Sequence, residues 1–159
     1  MVRECQTALE AAMIWKGRKS AFGATGRIAD YICMDGTVPT GQLPEALRRV
    51  GQICAAEGLR VANVFHAGDG NMHPLILYNV NDPAEQEKAE RAGAKVLTMS
   101  VELGGCLTGE HGVGLEKRDL MTSQYTAQEL AQQKRVRAVF DPAGRFNPAK
   151  VFPLEERAA

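Results

Sequence analysis

A glycine-rich segment flanked by two histidines constrains the fold of this chain more than any other. Two runs of β-favouring apolar residues, 61–66 and 72–80, surround the string Ala-Gly-Asp-Gly-Asn. Short apolar runs separated by such a turn are typical of a β-hairpin. We expect His66 to pair directly with His73 across this hairpin, which would place both imidazoles on one face of the sheet.

Helical patterns surround the hairpin. The apolar spacing over residues 42–57 predicts a helix with Pro44 in its first turn. Asp82-Pro83 predicts the start of a second helix, which continues to Leu103. A capping box, Thr126-x-x-Glu129, predicts a last helix that stops before Asp141.

The N-terminal segment gives weaker signals. We expect a helix over residues 4–17, a loose segment over residues 17–26, and one strand over residues 28–38 that ends at the turn signal Asp35-Gly36. With the hairpin and the later helices, this order predicts the α+β class, with helices packed on a small antiparallel sheet.

Composition excludes several functions. Lysine plus arginine equals aspartate plus glutamate at 19 each, so no basic footprint for nucleic acid is present. No apolar run is long enough to span a bilayer, and the N-terminus lacks the features of a signal peptide. The 4 cysteines form no CxxC pair, which favours reduced thiols and a cytoplasmic location.

The 3 histidines all lie in two glycine-rich segments, His66-Ala-Gly-Asp-Gly-Asn-Met-His73 and Gly109-Glu110-His111-Gly-Val-Gly. Two imidazoles on one face of a hairpin can bind a single divalent metal. Glu110 would add an oxygen ligand and leave a coordination position open. Nitrogen and oxygen ligands without thiolate favour zinc or manganese.

Other residues of these two segments suggest further roles. His111, beside such a metal, suits a general base because the ordinary pKa of histidine is about 6.5. Gly109, Gly112 and Gly114 would let a flat cofactor or substrate approach the backbone. Asp69 could orient an imidazole by accepting its second N–H.

Each of these interpretations has a structural alternative. The two histidines of the hairpin could be cross-strand packing partners only. The basic cluster at residues 15–19 could be a solvated helix end or an anion site in which Arg18 grips a carboxylate. Asn71, as a substrate-binding residue, and Lys117 are weaker candidates, since turn stabilisation or surface solvation explains each of them better.

Four strings together resemble a known family. They are Trp-x-x-Arg-Lys-x-Ala-Phe-Gly (15–23), Asn-Val-Phe-His-Ala-Gly-Asp-Gly-Asn-Met-His-Pro (63–74), Gly-Gly-x-x-Thr-Gly-Glu-His-Gly-Val-Gly (104–114) and Phe-Asp-Pro…Asn-Pro-x-Lys (140–150). The chain resembles the C-terminal substrate-binding, or cap, domain of the FAD-linked 2-hydroxyacid oxidases and dehydrogenases. The resemblance covers the chain from about residue 13 to Pro153.

The resemblance implies a ferredoxin-like cap domain over residues 1–159, incomplete at its N-terminus, with the FAD-binding domain absent. It implies oxidation of a small 2-hydroxy acid to the 2-oxo acid, with hydride transfer to FAD bound mainly by the absent domain. Pro74 after the second histidine favours glycolate or D-lactate. We expect the chain to be inactive alone, and to reach the inner membrane only through other oxidase subunits.

The resemblance also implies site roles. His66, His73 and Glu110 resemble metal ligands, His111 resembles the base that takes the hydroxyl proton, and Arg18 resembles the clamp on the substrate carboxylate. Two other functions stay open. The chain could be a non-catalytic module that docks to partner subunits and forms homo-oligomers through bare apolar surface, or a stand-alone metal-dependent hydrolase that uses the same three ligands.

Overall fold

The sheet and helices expected from the sequence are present in the computed structural model, which describes residues 4–154. The ends of the expected 1–159 domain, residues 1–3 and 155–159, lie outside the described residues. The elements are α1 (Ala8–Lys19), α2 (Ala21–Thr25), β1 (Asp30–Cys33), β2 (Gly36–Thr37), α3 (Leu43–Ala56), β3 (Arg60–His66), β4 (Asn71–Tyr78), α4 (Pro83–Glu102), α5 (Met121–Gln124) and α6 (Ala127–Phe140). The α+β class is confirmed.

Strand β4 is the centre of an antiparallel sheet. It pairs along one edge with β3, and along the other edge with β1 and then β2. The expected hairpin is present, but its expected register was wrong by two residues: His66 pairs with Asn71, and Val64 pairs with His73. A shift of two residues keeps every side chain on its face of the sheet. The two histidines are therefore diagonal neighbours on the same face.

The single strand expected over residues 28–38 is divided into β1 and β2. Both strands pair with β4 in one continuous register, in which Asp30 lies opposite Tyr78 and Gly36 lies opposite Met72. The break falls opposite Pro74, whose carbonyl accepts from the Met34 amide. Proline has no N–H to return that hydrogen bond, so the ladder is interrupted at this point.

The starts of α3, α4 and α6 match the sequence patterns, whereas the expected helix over residues 4–17 begins only at Ala8 and the loose segment over residues 17–26 was wrong. Helix α1 continues to Lys19 and is followed after one residue by α2. The Asp82 side chain accepts from the amides of Ala84 and Glu85, which caps α4. The capping box at the start of α6 is confirmed.

The hydrophobic core lies between the sheet and helices α3 and α4. Met72 and Ile76 of β4 are buried there with Val50 of α3 and Val96 of α4. Since side chains alternate along a strand, Asn71 and His73 face the side of the sheet away from this core. Among the described residues, no helix is long and apolar enough to cross a membrane.

Candidate functional site

The site forms where the loop after α4 packs on the start of β4, on the face that carries Asn71 and His73. Gly109 of this loop lies directly against the Asn71 side chain: a Cβ atom at Gly109 would be 2.7 Å from the carboxamide of Asn71. Only glycine therefore allows the loop to approach the strand this closely. The structure gives Gly109 a packing reason, where the sequence suggested an approach to a cofactor.

His73 is the buried centre of the site, with a relative exposure of 2%. Its Nε2 lies 2.9 Å from Oε1 of Glu110. Its Nδ1 is buried and has no hydrogen-bond partner among the described residues. The ring is also covered by Phe22 of α2, at 6.0 Å between ring centroids. One nitrogen of His73 thus points to the loop, and the other points into the protein.

The three expected metal ligands lie together despite the corrected register. Oε1 of Glu110 is 3.6 Å from Nε2 of His66 and 2.9 Å from Nε2 of His73. The two imidazoles meet edge to face at 5.4 Å between centroids. His66 and Glu110 are exposed, so the same cluster has a buried side and an open side.

The His111 ring stacks on the His73 ring. The two rings are stacked at 5.0 Å between centroids, with an angle of 15° between their planes. Ligand atoms of His73, Glu110, His111 and Asp35 all lie within 4.8 Å of one another. This group of possible ligands differs from the predicted set of His66, His73 and Glu110, because it leaves out His66 and includes Asp35 and His111.

Asp35 is fully buried, and its carboxylate accepts many hydrogen bonds. Its Oδ2 accepts from the Thr108 hydroxyl at 2.7 Å and from Nζ of Lys117 at 3.2 Å. The backbone amides of residues 109–111 donate to the same carboxylate at 2.9–3.2 Å. Burial by itself would raise the pKa of Asp35, but the hydrogen bonds from Thr108 and the His111 amide, with the charge of Lys117, outweigh it and hold the pKa well below its usual range.

Lys117 and Asp35 correct two expectations. Lys117 is buried and paired, so surface solvation as its role was wrong. The sequence suggested Asp69 as a second carboxylate beside an imidazole, whereas the structure places Asp35 there, with its Oδ1 at 3.9 Å from Nδ1 of His73. Sequence reasoning missed Asp35 because Asp35-Gly36 is a common turn signal, and only the strand register places it opposite a histidine.

The expected substrate residues border this cluster. Nη2 of Arg18, near the end of α1, donates to the Phe65 carbonyl at 3.4 Å, next to His66 in the chain. Asn71 is buried, and its Oδ1 has no hydrogen-bond partner in the described part of the chain. Arg18 is also one of three basic residues in the last turn of α1, so the helix-end interpretation is compatible with its position.

Gly112 and Gly114 form the exposed exit of the loop. Both have positive φ, 79° and 55°, and a Cβ at either would contact nothing within 4 Å. The backbone at these two glycines is therefore exposed and uncovered by any described side chain within that distance.

The donor set also fits a divalent ion. Two imidazoles and one carboxylate are borderline and hard ligands of the kind that zinc and manganese accept. His66, His73 and Glu110 could hold the ion from the open side. The Asp35 carboxylate already accepts hydrogen bonds from five donor groups, so its lone pairs are largely used.

Comparison with known proteins identifies the family of this chain. The chain belongs to the FAD linked oxidases, C-terminal domain, whose family model matches residues 1–151. The family resemblance stated from the four sequence strings is confirmed.

Curated relatives are much longer than this chain. The glycolate oxidase subunit GlcD of Escherichia coli (strain K12) is 49% identical over 159 residues, covering 99% of this chain and 32% of the relative. The subunit of the same name from Bacillus subtilis (strain 168) is 33% identical, covering 98% of this chain and 33% of the relative. A mitochondrial D-lactate dehydrogenase [cytochrome] of Arabidopsis thaliana is 31% identical, covering 88% and 25%. The chain spans a third or less of the length of these relatives.

Proposed function

We propose that this chain is the substrate-binding portion of a flavin-dependent oxidoreductase that converts a small 2-hydroxy acid to the 2-oxo acid, with hydride transfer to FAD. Glycolate and D-lactate are the proposed substrates, since relatives are named for both. The observation that carries the proposal is that His66, His73, Glu110 and His111 lie close together at the start of β4.

The four residues divide into ligands and a base. His66, His73 and Glu110 would hold zinc or manganese, and the substrate hydroxyl proton would move to an imidazole nitrogen of His111. A bound divalent ion lowers the pKa of a coordinated hydroxyl, and the flavin accepts the hydride. Stacking on the buried His73 ring fixes the plane of His111, so this base is held in one orientation.

Arg18 and Asn71 would bind the substrate. The Arg18 guanidinium lies beside the end of β3, where a planar fork of N–H donors can grip a carboxylate. Asn71 offers a buried carbonyl oxygen without a partner, which can accept from a hydroxyl group.

The partners proposed are an FAD-binding domain and other oxidase subunits, with no nucleic acid. The relatives' extra length and the bare backbone of Gly112 and Gly114 support an FAD-binding domain that carries most of the cofactor. We expect little turnover by the chain alone. The cytoplasmic location, with any membrane association made through partner subunits, stays a prediction.

A chimera tests this function. Residues 1–159 would replace the matching C-terminal segment of Escherichia coli GlcD, and flavin reduction by glycolate and by D-lactate would be followed without oxygen. We expect flavin reduction, slowed about 10²–10⁴-fold by His111→Asn. Glu87→Gln, on the exposed surface of α4, is the control and should be unaffected. A correctly assembled chimera that neither acid reduces would exclude the proposal.

A second candidate is a non-catalytic assembly module. Exposed apolar side chains on α1 and at the end of α6 favour it, among them Trp15 and Phe140, which are 63% and 79% exposed. The same chimera separates the two functions. An assembled, flavin-loaded chimera without any reduction by either acid would favour the module.

A further inference from the structure

Asp35 lies in the interruption between β1 and β2, where the common register of these strands places it opposite His73. Its side chain has no exposed surface. A buried carboxylate is costly unless it is paired and hydrogen-bonded. Lys117 supplies the opposite charge, at 3.2 Å between Nζ and Oδ2. The gap between β1 and β2 therefore contains the ion pair of Asp35 and Lys117, whose opposite charges cancel. This pair lies beside the buried nitrogen of His73.

The hydrogen bonds of Asp35 define the loop that carries two site residues. Three consecutive amides, those of residues 109–111, point at one carboxylate. The Thr108 hydroxyl donates to the same group, so four successive residues are attached to it. Charge-assisted hydrogen bonds of this kind are the strong ones. The backbone positions of Glu110 and His111 are thus set by a residue distant in sequence.

The other oxygen of Asp35 faces the buried nitrogen of His73. Oδ1 lies 3.9 Å from Nδ1, which has no hydrogen-bond partner. Nε2, at the other side of the ring, faces Glu110 and the open side of the cluster. Asp35 therefore lies behind the His73 ring, on the side away from the proposed ligand position. Carboxylates commonly lie behind ligating histidines in metal sites, where they fix the orientation of the ring.

We propose that Asp35 is the positioning residue of this site: it fixes the loop that carries Glu110 and His111 against the strand that carries His73. Its importance for turnover rests on the proposed function. The geometric role does not, because it concerns the loop and the ligand atoms alone.

Asp35→Asn tests the proposal without changing the size of the side chain. The asparagine carboxamide has one oxygen and one NH2 group in place of two oxygens. Its NH2 group must therefore face either the donor groups of the loop or the His73 ring. We expect Zn²⁺ affinity of the chain, measured by calorimetric titration, to fall about 10–100-fold. Amide hydrogen exchange at residues 109–111 should accelerate at least tenfold, while the amides in the middle of α4 keep their rates.

Asp30→Asn is the matched control. Asp30 is an exposed aspartate of β1 that also accepts a backbone amide, that of Val80, but away from the cluster. We expect its Zn²⁺ affinity and exchange rates to match those of the unsubstituted chain. If Asp35→Asn fails to fold, Thr108→Val removes one donor and leaves the ion pair intact, with a smaller change expected in the same two measurements.

Exchange rates at residues 109–111 that are equal in Asp35→Asn and Asp30→Asn would overturn the proposal. So would acceleration spread equally over α4, because that indicates a general loss of stability. Both measurements use the chain without flavin or hydroxy acid. Failure of the chimera to oxidise its substrates would therefore leave this result standing, and the exchange comparison decides even if the unsubstituted chain binds no Zn²⁺.

Discussion

Gly109 is where the absence of one methyl group determines the geometry of the site. A Cβ atom at Gly109 would lie 2.7 Å from the carboxamide of Asn71, which is closer than real Cβ atoms come to a neighbouring atom. We expect Gly109→Ala to lower the free energy of unfolding by roughly 1–3 kcal/mol, the usual cost of overpacking. Urea denaturation measures this change.

Gly68→Ala is the control for that substitution. A Cβ at Gly68, in the turn of the hairpin, would meet nothing within 4 Å. Its stability should be unchanged or slightly higher, because alanine restricts the unfolded chain. Equal stabilities of the two alanine variants would mean that the loop does not rest on Asn71.

The cysteines differ in reactivity at the same residue scale. Burial, with the nearby charge of Asp35, raises the pKa of the Cys33 thiol to about 11, and burial alone raises the pKa of Cys54 to about 11. About one thiol in a thousand would be ionised at pH 8. Since the thiolate is the nucleophile, iodoacetamide at pH 8 should label the exposed Cys5 and Cys106 and spare the other two.

Peptide mass spectrometry checks this order of labelling. Because the shift raises the pKa, labelling of Cys33 and Cys54 should increase as the pH approaches 11, or on unfolding. Cys33 labelled as fast as Cys106 at pH 8 would contradict the expectation.

At the level of elements, α6 depends on its cap. The Thr126 side chain accepts from the Glu129 amide, and Glu129 accepts from the Thr126 amide in return. We expect Thr126→Ala to cost about 1 kcal/mol of stability. Thermal unfolding of this variant beside Gln128→Ala, an exposed change in the same turn, measures the effect. No difference between the two would show that α6 is held by its packing alone.

Capping and periodicity explain why the helices could be predicted. The Asp82 cap and the Thr126 capping box act through residues two or three positions away, so the local sequence specifies them. The strand register involves residues far apart in the chain. The break opposite Pro74 follows from a missing N–H, yet the strand that meets Pro74 cannot be read from the sequence alone.

Only part of the candidate site could be predicted, because only some of its residues lie in distinctive local sequence patterns. His66, His73 and Glu110 were expected together because their glycine-rich strings are distinctive, and diagonal neighbours on one face tolerate a shift of two residues. Asp35 and Lys117 carry no such local pattern. Their roles depend on which loop amides and which histidine the fold brings to them.

The whole molecule has apolar side chains at both ends of the described chain that no described residue covers. Leu9 on α1 is 73% exposed, and Val139 on α6 is 77% exposed. Exposed patches of this kind favour association. We expect the isolated chain to self-associate as its concentration rises, and an added FAD-binding domain to reduce this.

Sedimentation velocity over a concentration series measures the association. Leu9→Gln and Val139→Gln together should shift the chain towards the monomer. Val80→Gln, at an apolar position that is 50% exposed in the loop after β4, is the control. A monomer at every concentration would contradict the expectation of homo-oligomers.

The stacked rings of His73 and His111 should give characteristic chemical shifts in the NMR spectrum of the chain. The ring current of each imidazole acts on the carbon-bound protons of the other, because the centroids lie 5.0 Å apart and the planes are 15° from parallel. The resonances of these protons should differ from those of an isolated imidazole. With 3 histidines in the chain, the spectrum has few such lines to assign. A return of these lines to the positions of an isolated imidazole would report, without any label, that the loop has separated from the strand.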